Sequence, residues 1–350
     1  MTDPTPKPAS RARSAALGGL VFVATLVLLF GALNVVRRAD SGTAGASPSV
    51  GEPSVAVAAP TAGGSSASPA ASGSAVPASP AASASPSVEA VLVGAGDIAS
   101  CSHNDDSATA ALVEGIAGTV FTAGDNAYEN GSADQFRDCY DPTWGRFRDR
   151  TRPAPGNHDW ETEDLAGYLG YFGAAAAPDG TSWYSYELGS WHVIVLDSDC
   201  AKVGGCGAES VQGRWLAADL AASSATCTLA IWHHPRFSSG FHGNDQEVAP
   251  FWTALYAAGA DLIVNGHDHD YERFAPQDPS GNVGPRGIRE FVVGTGGAEL
   301  RPFEEIRANS ELRVSVAHGV IRFDLHPGSY GWQFIPTTGD LHDSGNAPCH

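Results

Sequence analysis

Lysine is nearly absent from this chain. Of 350 residues only Lys7 and Lys202 are lysine, and arginine completes a total of just 20 basic side chains against 39 acidic ones. The first 88 residues hold five of the basic and three of the acidic groups, so the other 15 basic and 36 acidic residues give the remainder a net charge of −21. A basic stripe able to track a nucleic-acid backbone is excluded by that balance. An anionic substrate must be drawn in by bound cations, because the protein's general field opposes it. No C-x-x-C pair of the kind that grips a metal occurs, and no internal repeat is evident. The six cysteines (Cys101, Cys139, Cys200, Cys206, Cys227 and Cys349) are even in number. They fit disulfides made in an oxidising compartment, with buried free thiols as the other reading. The expected pairing is Cys200–Cys206 as a small loop, with Cys101–Cys139 and Cys227–Cys349 as longer closures.

Charge is also absent between Arg13 and Arg37, where residues 17–36 are almost wholly apolar. About 20 such residues suffice to cross a hydrocarbon core as a helix. The apolar stretch of a cleaved signal peptide usually runs roughly 7–15 residues. The segment therefore reads as an uncleaved single-span anchor with residues 1–16 cytoplasmic, and a cleaved signal peptide is the alternative. Residues 37–87 are dominated by Ala, Ser, Pro and Gly. Such a stretch has too little apolar side chain to offset ordering entropy and is expected to be a disordered tether. It would span on the order of 40 Å root-mean-square. The expected product is a single-pass membrane protein whose remaining residues, 88–350, lie outside the cytoplasm, or are secreted if the leader is cleaved.

With 43% hydrophobic residues the chain can build a sizeable core. Residues 88–93, 119–123, 191–196, 226–232 and 261–265 read as strands. Residues 105–116, 210–222 and 246–258 read as helices between them. Alternating strands and helices imply an α/β sheet with crossover connections. Residues 288–293, 319–325 and 330–335 read as strands without intervening helices, which suggests a second, more antiparallel sheet. Two sheets face to face with helices outside make a four-layer αββα sandwich.

Five short blocks carry the chemistry, in order: Gly-Asp at Asp97, Gly-Asp-x-x-Tyr at Asp125 to Tyr128, Gly-Asn-His-Asp at Asn157 to Asp159, a His at His233, and Gly-His-x-His at His267 and His269. Together they offer carboxylates, an amide oxygen, a phenol and imidazoles, the hard and borderline donors that two adjacent hydrolytic metal ions require. Most follow strand-like segments, and in α/β sheets sites form where loops converge at the carboxyl ends of strands. Gly-Asp alone reads as a turn and Asn157 to Asp159 alone as a polar loop, while His267-x-His269 is a better metal signal; the ordered set reads as a two-metal phosphoesterase.

The blocks GDIA, GDNAY, GNHD, HHP and GHDHDYER, with VGTGG at Gly294 to Gly297, resemble those of the purple acid phosphatases. More broadly they resemble the calcineurin-like metallophosphoesterases, over residues 88–350. The resemblance implies that Asp97, Asp125, Tyr128 and His269 bind one metal and that Asn157, His233 and His267 bind the second, with Asp125 shared. A phenolate at Tyr128 implies Fe(III) paired with Zn(II), Fe(II) or Mn(II). Two cations about 3.5–4 Å apart can acidify a water and clamp an in-line displacement at phosphorus. The expected substrate is a small phosphate monoester; a phosphodiesterase or nucleotidase with the same metals is the alternative. A non-catalytic surface protein stabilised by metal is the reading from another class.

His158 is the candidate for holding a phosphate oxygen or protonating the leaving group. Asp159 is the candidate for fixing its tautomer. His242 resembles the family's other substrate-facing histidine. The HHP match turns His234 away from the site, His103 reads as an ordinary surface or packing residue, and the Tyr271-Glu272-Arg273 tail is expected to brace its loop through an ion pair. Two departures stand out: Ala99 where the family commonly has glycine, and no amino-terminal β-domain of the kind found in the large plant enzymes.

Overall fold

The computed structural model describes residues 88–340 and 342–350. The expected anchor (17–36), its flank (1–16) and the tether (37–87) lie outside them. Among the described residues no helix is long and apolar enough to cross a membrane.

Strands β1 (Ala90–Ala95), β2 (Ala99–Ser100), β3 (Thr119–Ala123), β4 (Ala127–Tyr128) and β5 (Thr151–Ala154) come first. They are followed by β6 (Tyr184–Leu188), β7 (Trp191–Val195), β8 (Cys227–Ile231), β9 (Leu262–Asn265) and β10 (Tyr271–Phe274). The last are β11 (Arg289–Val293), β12 (Ser310–Val314), β13 (Gly319–His326), β14 (Ser329–Pro336) and β15 (Asp343–Pro348). One large sheet has the order β15-β14-β13-β1-β3-β5, the second β12-β10-β11-β9-β8-β7-β6, and β2 and β4 form a small third sheet. Strands β1, β3 and β5 run parallel in the first sheet, as do β7, β8, β9 and β11 in the second.

Side-chain alternation explains why the second sheet needs cover on both faces. Val193 and Val195 enter the core between the sheets, whereas Ile194 and Leu196 enter a separate core. Leu229 and Ile231 oppose Ala230 and Trp232 in the same way, and Leu262 and Val264 oppose Ile263. Successive strand residues face opposite sides, so strands buried twice read as unbroken apolar runs. The second core is closed by Leu216 of the helix Val211–Ala222 and by Phe251, Trp252 and Leu255 of Ala249–Ala258. Ser210 starts the first of these helices by accepting the Gly213 amide at 2.9 Å. Gly259, at φ +79°, ends the second. The helix Asp105–Glu114 packs against β13 of the first sheet.

The expected division into an early parallel sheet and a late antiparallel one is not what forms. β13, β14 and β15 join β1 in the first sheet, and β11 lies parallel to β9 in the second. Apolar spacing reports which face of a strand is buried and carries no information about its neighbour. The Tyr271–Arg273 segment is also a strand, not a loop tail. Its Arg273 reaches Asp343 of β15 at 2.7 Å and also pairs with Glu311, and so ties one sheet to the other. All three expected disulfides are present: Cys101–Cys139, Cys200–Cys206 and Cys227–Cys349, with Cα separations of 5.3, 5.1 and 5.6 Å.

Candidate metal centre

Both sheets deliver loops to the same place. Asp97 follows β1, Asp125 follows β3 and Asn157 follows β5, while His233 follows β8 and His267 follows β9. Tyr128 ends β4, and His269 lies two residues before β10. The backbone at this junction is held in unusual conformations. Asp97, Asp125 and His267 have φ of +58°, +49° and +73°, a region side chains seldom occupy and one that concentrates at functional sites. Glycine permits the crowding. A Cβ on Gly124 would sit 2.4 Å from His233 Nδ1, and one on Gly156 would sit 2.3 Å from Asp125 Oδ1.

The seven sequence-derived donors fall into two sets that meet at one oxygen. In the first, the Tyr128 hydroxyl lies 2.8 Å from Asp97 Oδ1, 3.1 Å from Asp125 Oδ2 and 3.1 Å from His269 Nε2. In the second, His233 Nε2 lies 3.1 Å from Asp125 Oδ2, 3.1 Å from Asn157 Oδ1 and 3.2 Å from His267 Nδ1. Asp125 Oδ2 belongs to both.

Hydrogen bonds on the far side of the imidazoles fix what the near side offers. His233 Nδ1 lies 2.8 Å from the Ala123 carbonyl and His269 Nδ1 lies 2.7 Å from that of Glu299. A carbonyl only accepts, so both Nδ1 atoms carry hydrogen and both Nε2 atoms present lone pairs. Those lone pairs face carboxylate and amide oxygens at 3.1–3.4 Å. Such facing acceptors need a proton or a cation between them. The donor set of two carboxylates, one amide oxygen, one phenol and three imidazoles fits a pair of divalent or trivalent cations.

Protonation follows the same geometry. Burial alone would depress the His233 imidazole, but Asp125 and then Asp97 lift its pKa to about 10. Burial pushes the Asp125 carboxyl up, yet the charge and hydrogen bond of His233 hold it well below the usual carboxylate range. Burial, followed by the charges of Asp125 and Asp97, keeps the Tyr128 phenol far above its ordinary value. Without a cation, a proton shared on His233 balances the carboxylates; a metal would displace it.

His158 stands at the mouth, with its Nδ1 hydrogen-bonded to the Glu129 carbonyl and its amide donating to Asp125 Oδ1 at 2.8 Å. Its Nε2 lies 4.0 Å from Asp125 Oδ2, and its ring is 4.4 Å from that of Tyr128. The Glu129 carbonyl, not Asp159, therefore sets its tautomer. Asp159 is fully buried and instead accepts from Asn126 Nδ2 at 2.9 Å and from the Gly156 amide at 3.0 Å, bracing two of the loops. Burial and the charge of Asp125 raise its pKa to about 7. His242 is brought in, its ring 4.1 Å from that of His267.

Three residues were not expected here. His234 does not turn away: its ring is 4.3 Å from His267, and its Nδ1 meets Ser198 Oγ at 2.8 Å. His103 and Arg301 line a cavity of about 130 Å³ with Tyr128, Glu129, His158 and His269. Arg301 follows the VGTGG block by only a few residues, and that spacing was the available signal for it.

Comparison with known proteins agrees with this geometry. A protein of unknown function from Mycobacterium tuberculosis is 34% identical over 186 residues, covering 44% of this chain and 34% of that protein. Acid phosphatase A of Cryphonectria parasitica is 31% identical, covering 49% of this chain and 40% of that one. The chain thus spans about a third to two fifths of the length of these relatives. Among solved structures, purple acid phosphatase PPD1 from yellow lupin superposes with a TM-score of 0.59 at 19% identity, covering 74% of this chain and 53% of that one. GAP50, the anchor in the inner membrane complex of Plasmodium, has a TM-score of 0.59 at 14% identity, covering 75% of this chain and 89% of that one. At these identities the superpositions speak for the fold. Residues 94–271, more than half of the sequence, match the calcineurin-like phosphoesterase family, and its homologues include purple acid phosphatases. The chain belongs to the calcineurin-like phosphoesterase family.

Proposed function

We propose that this chain hydrolyses phosphate monoesters at a two-metal centre. Asp97, Asp125, Tyr128 and His269 hold one ion, Asn157, His233 and His267 hold the other, and Asp125 is common to both. The observation that carries the reading is the paired donor sets meeting at Asp125 Oδ2, with 3.1 Å to Tyr128 on one side and 3.1 Å to His233 on the other. A phenol buried between two carboxylates suits a trivalent ion, so Fe(III) with Zn(II), Fe(II) or Mn(II) is the proposed pair. When bound, the ions supply an acidified water and neutralise charge on the phosphoryl group.

The protein's own groups do the rest. Carbonyls of Ala123 and Glu299 orient His233 and His269. Asp159 fixes the Asn126 and Gly156 loops. His158 lines the cavity with its Nδ1 proton held by Glu129; when Nε2 is protonated as well, it is the Nε2 proton that passes to the departing oxygen. The three disulfides suit an extracytoplasmic location for residues 88–350, held at the membrane by the 17–36 segment or released after its cleavage.

The test is metal analysis of the full chain together with assays on p-nitrophenyl phosphate, its bis ester and nucleotides from about pH 4 to 9. Two bound metals with monoester cleavage fit the proposal. Two bound metals with no ester cleaved at any pH would instead mark a metal-stabilised, non-catalytic protein.

A further inference from the structure

Arg137, Arg146, Arg273, Arg289, Arg307 and Arg322 each pair with a carboxylate; Arg301 is among the arginines that do not, and it is the arginine that lines the cavity beside the metal site. Among the described residues no acidic side chain forms an ion pair with Arg301. Its backbone amide donates to the His269 carbonyl at 3.1 Å, which ties it directly to the metal-site loop. Its Nη1 donates to His242 Nε2 at 2.7 Å, and its guanidinium carbon lies 5.2 Å from the centre of the Phe241 ring. His242 therefore spends its Nε2 lone pair on Arg301, and its own hydrogen resides on Nδ1. The charge at this end of the cavity belongs to the arginine; the histidine positions it. Phe241 is 56% exposed, and the guanidinium lies against its ring.

The cavity that Arg301 shares with His158 and His269 holds about 130 Å³. That is room enough to admit a phosphoryl group. A phosphate monoester carries close to two negative charges above about pH 6, whereas a diester carries one. A planar guanidinium matches phosphate oxygens with paired donors.

We propose that Arg301, positioned by His242 and stacked on Phe241, binds a non-bridging oxygen of the substrate phosphoryl group and sets a preference for doubly charged monoesters over diesters. This rests on the hydrolase reading above.

The test compares metal-loaded wild type with Arg301→Gln and Arg301→Lys. Binding of inorganic phosphate is measured by calorimetry, and steady-state rates are measured on p-nitrophenyl phosphate and its bis ester. Loss of the fork should weaken phosphate binding and raise KM for the monoester by about 10- to 100-fold, with metal content unchanged. Bis-ester kcat/KM should change by less than about threefold, and Arg301→Lys should fall between. Unchanged phosphate binding in Arg301→Gln, or equal losses on both esters, overturns the proposal. If Arg301→Gln does not fold, phosphate affinity of Arg301→Lys equal to wild type overturns it instead. A wild type that cleaves neither ester would defeat the hydrolase reading, and the phosphate titration would still decide the role of Arg301.

Discussion

The Tyr128 hydroxyl donates to the Asp97 carboxylate across 2.8 Å, and both side chains are buried. A phenol so placed keeps its proton unless a strongly charged cation displaces it. The loaded wild-type protein is therefore expected to absorb visible light through phenolate-to-Fe(III) charge transfer. Tyr128→Phe should lose the band and bind that ion at least about tenfold more weakly. A colourless, iron-free preparation that remains active would reject the iron assignment and leave the hydrolase standing.

Because the backbone amide of His158 already serves Asp125, removing its imidazole leaves the loop anchored. His158→Ala should retain both metals and lose about 100-fold in kcat, the usual contribution of a positioned acid. Atomic absorption alongside rate measurement checks this. A parallel loss of metal would show the ring to be structural.

His192 lies between Glu187 Oε1 and Asp219 Oδ2, at 2.8 Å from each. Burial works to lower its pKa, but the hydrogen bonds to Asp219 and Glu187 outweigh it and raise the value above 6.5. The imidazolium is thus held more tightly in the folded state. Its stabilisation is complete below 6.5 and is lost as pH rises through the higher folded value. The gap in melting temperature between wild type and His192→Gln should be widest near pH 6 and should shrink by about pH 9. A gap that grows with pH would contradict the assignment.

Cys227 opens β8 and is joined to Cys349 near the carboxyl end, 122 residues later. Replacing both by serine should lower stability by about 2–5 kcal/mol. The metal-site loops lie at the opposite end of β8, so metal content should be preserved. Denaturant midpoints without reductant provide the measurement.

How much of this was legible depends on where each strand sits. β3 was readable to its bounds, and β7, β8 and β9 nearly so, because burial on two faces demands continuous apolar residues. The strands that escaped notice include the edges of both large sheets: β5, β6, β12 and β15. An edge strand pairs on one hydrogen-bonding side only and so tolerates residues that a central strand excludes. β5 contains Pro153, and β15 reads Asp-Ser-Gly-Asn-Ala-Pro. The site was legible because its donors are chemically distinctive and clustered at strand ends. Arg301 and His234 were not, since a guanidinium beside a loop and the second histidine of a pair acquire meaning only from their neighbours. Asp159 had the right position but a different partner, because sequence adjacency to His158 says nothing about which way its carboxylate turns.

Strand β1, whose loop carries Asp97, is flanked on one side by β3 and on the other by β13, which begins at Gly319. More than 220 residues therefore separate β1 from β13, and this central strand lacks its second neighbour until they have been synthesised. Until then its open hydrogen-bonding edge is a template for another chain, so chains shortened before β13 should aggregate instead of yielding a smaller folded unit.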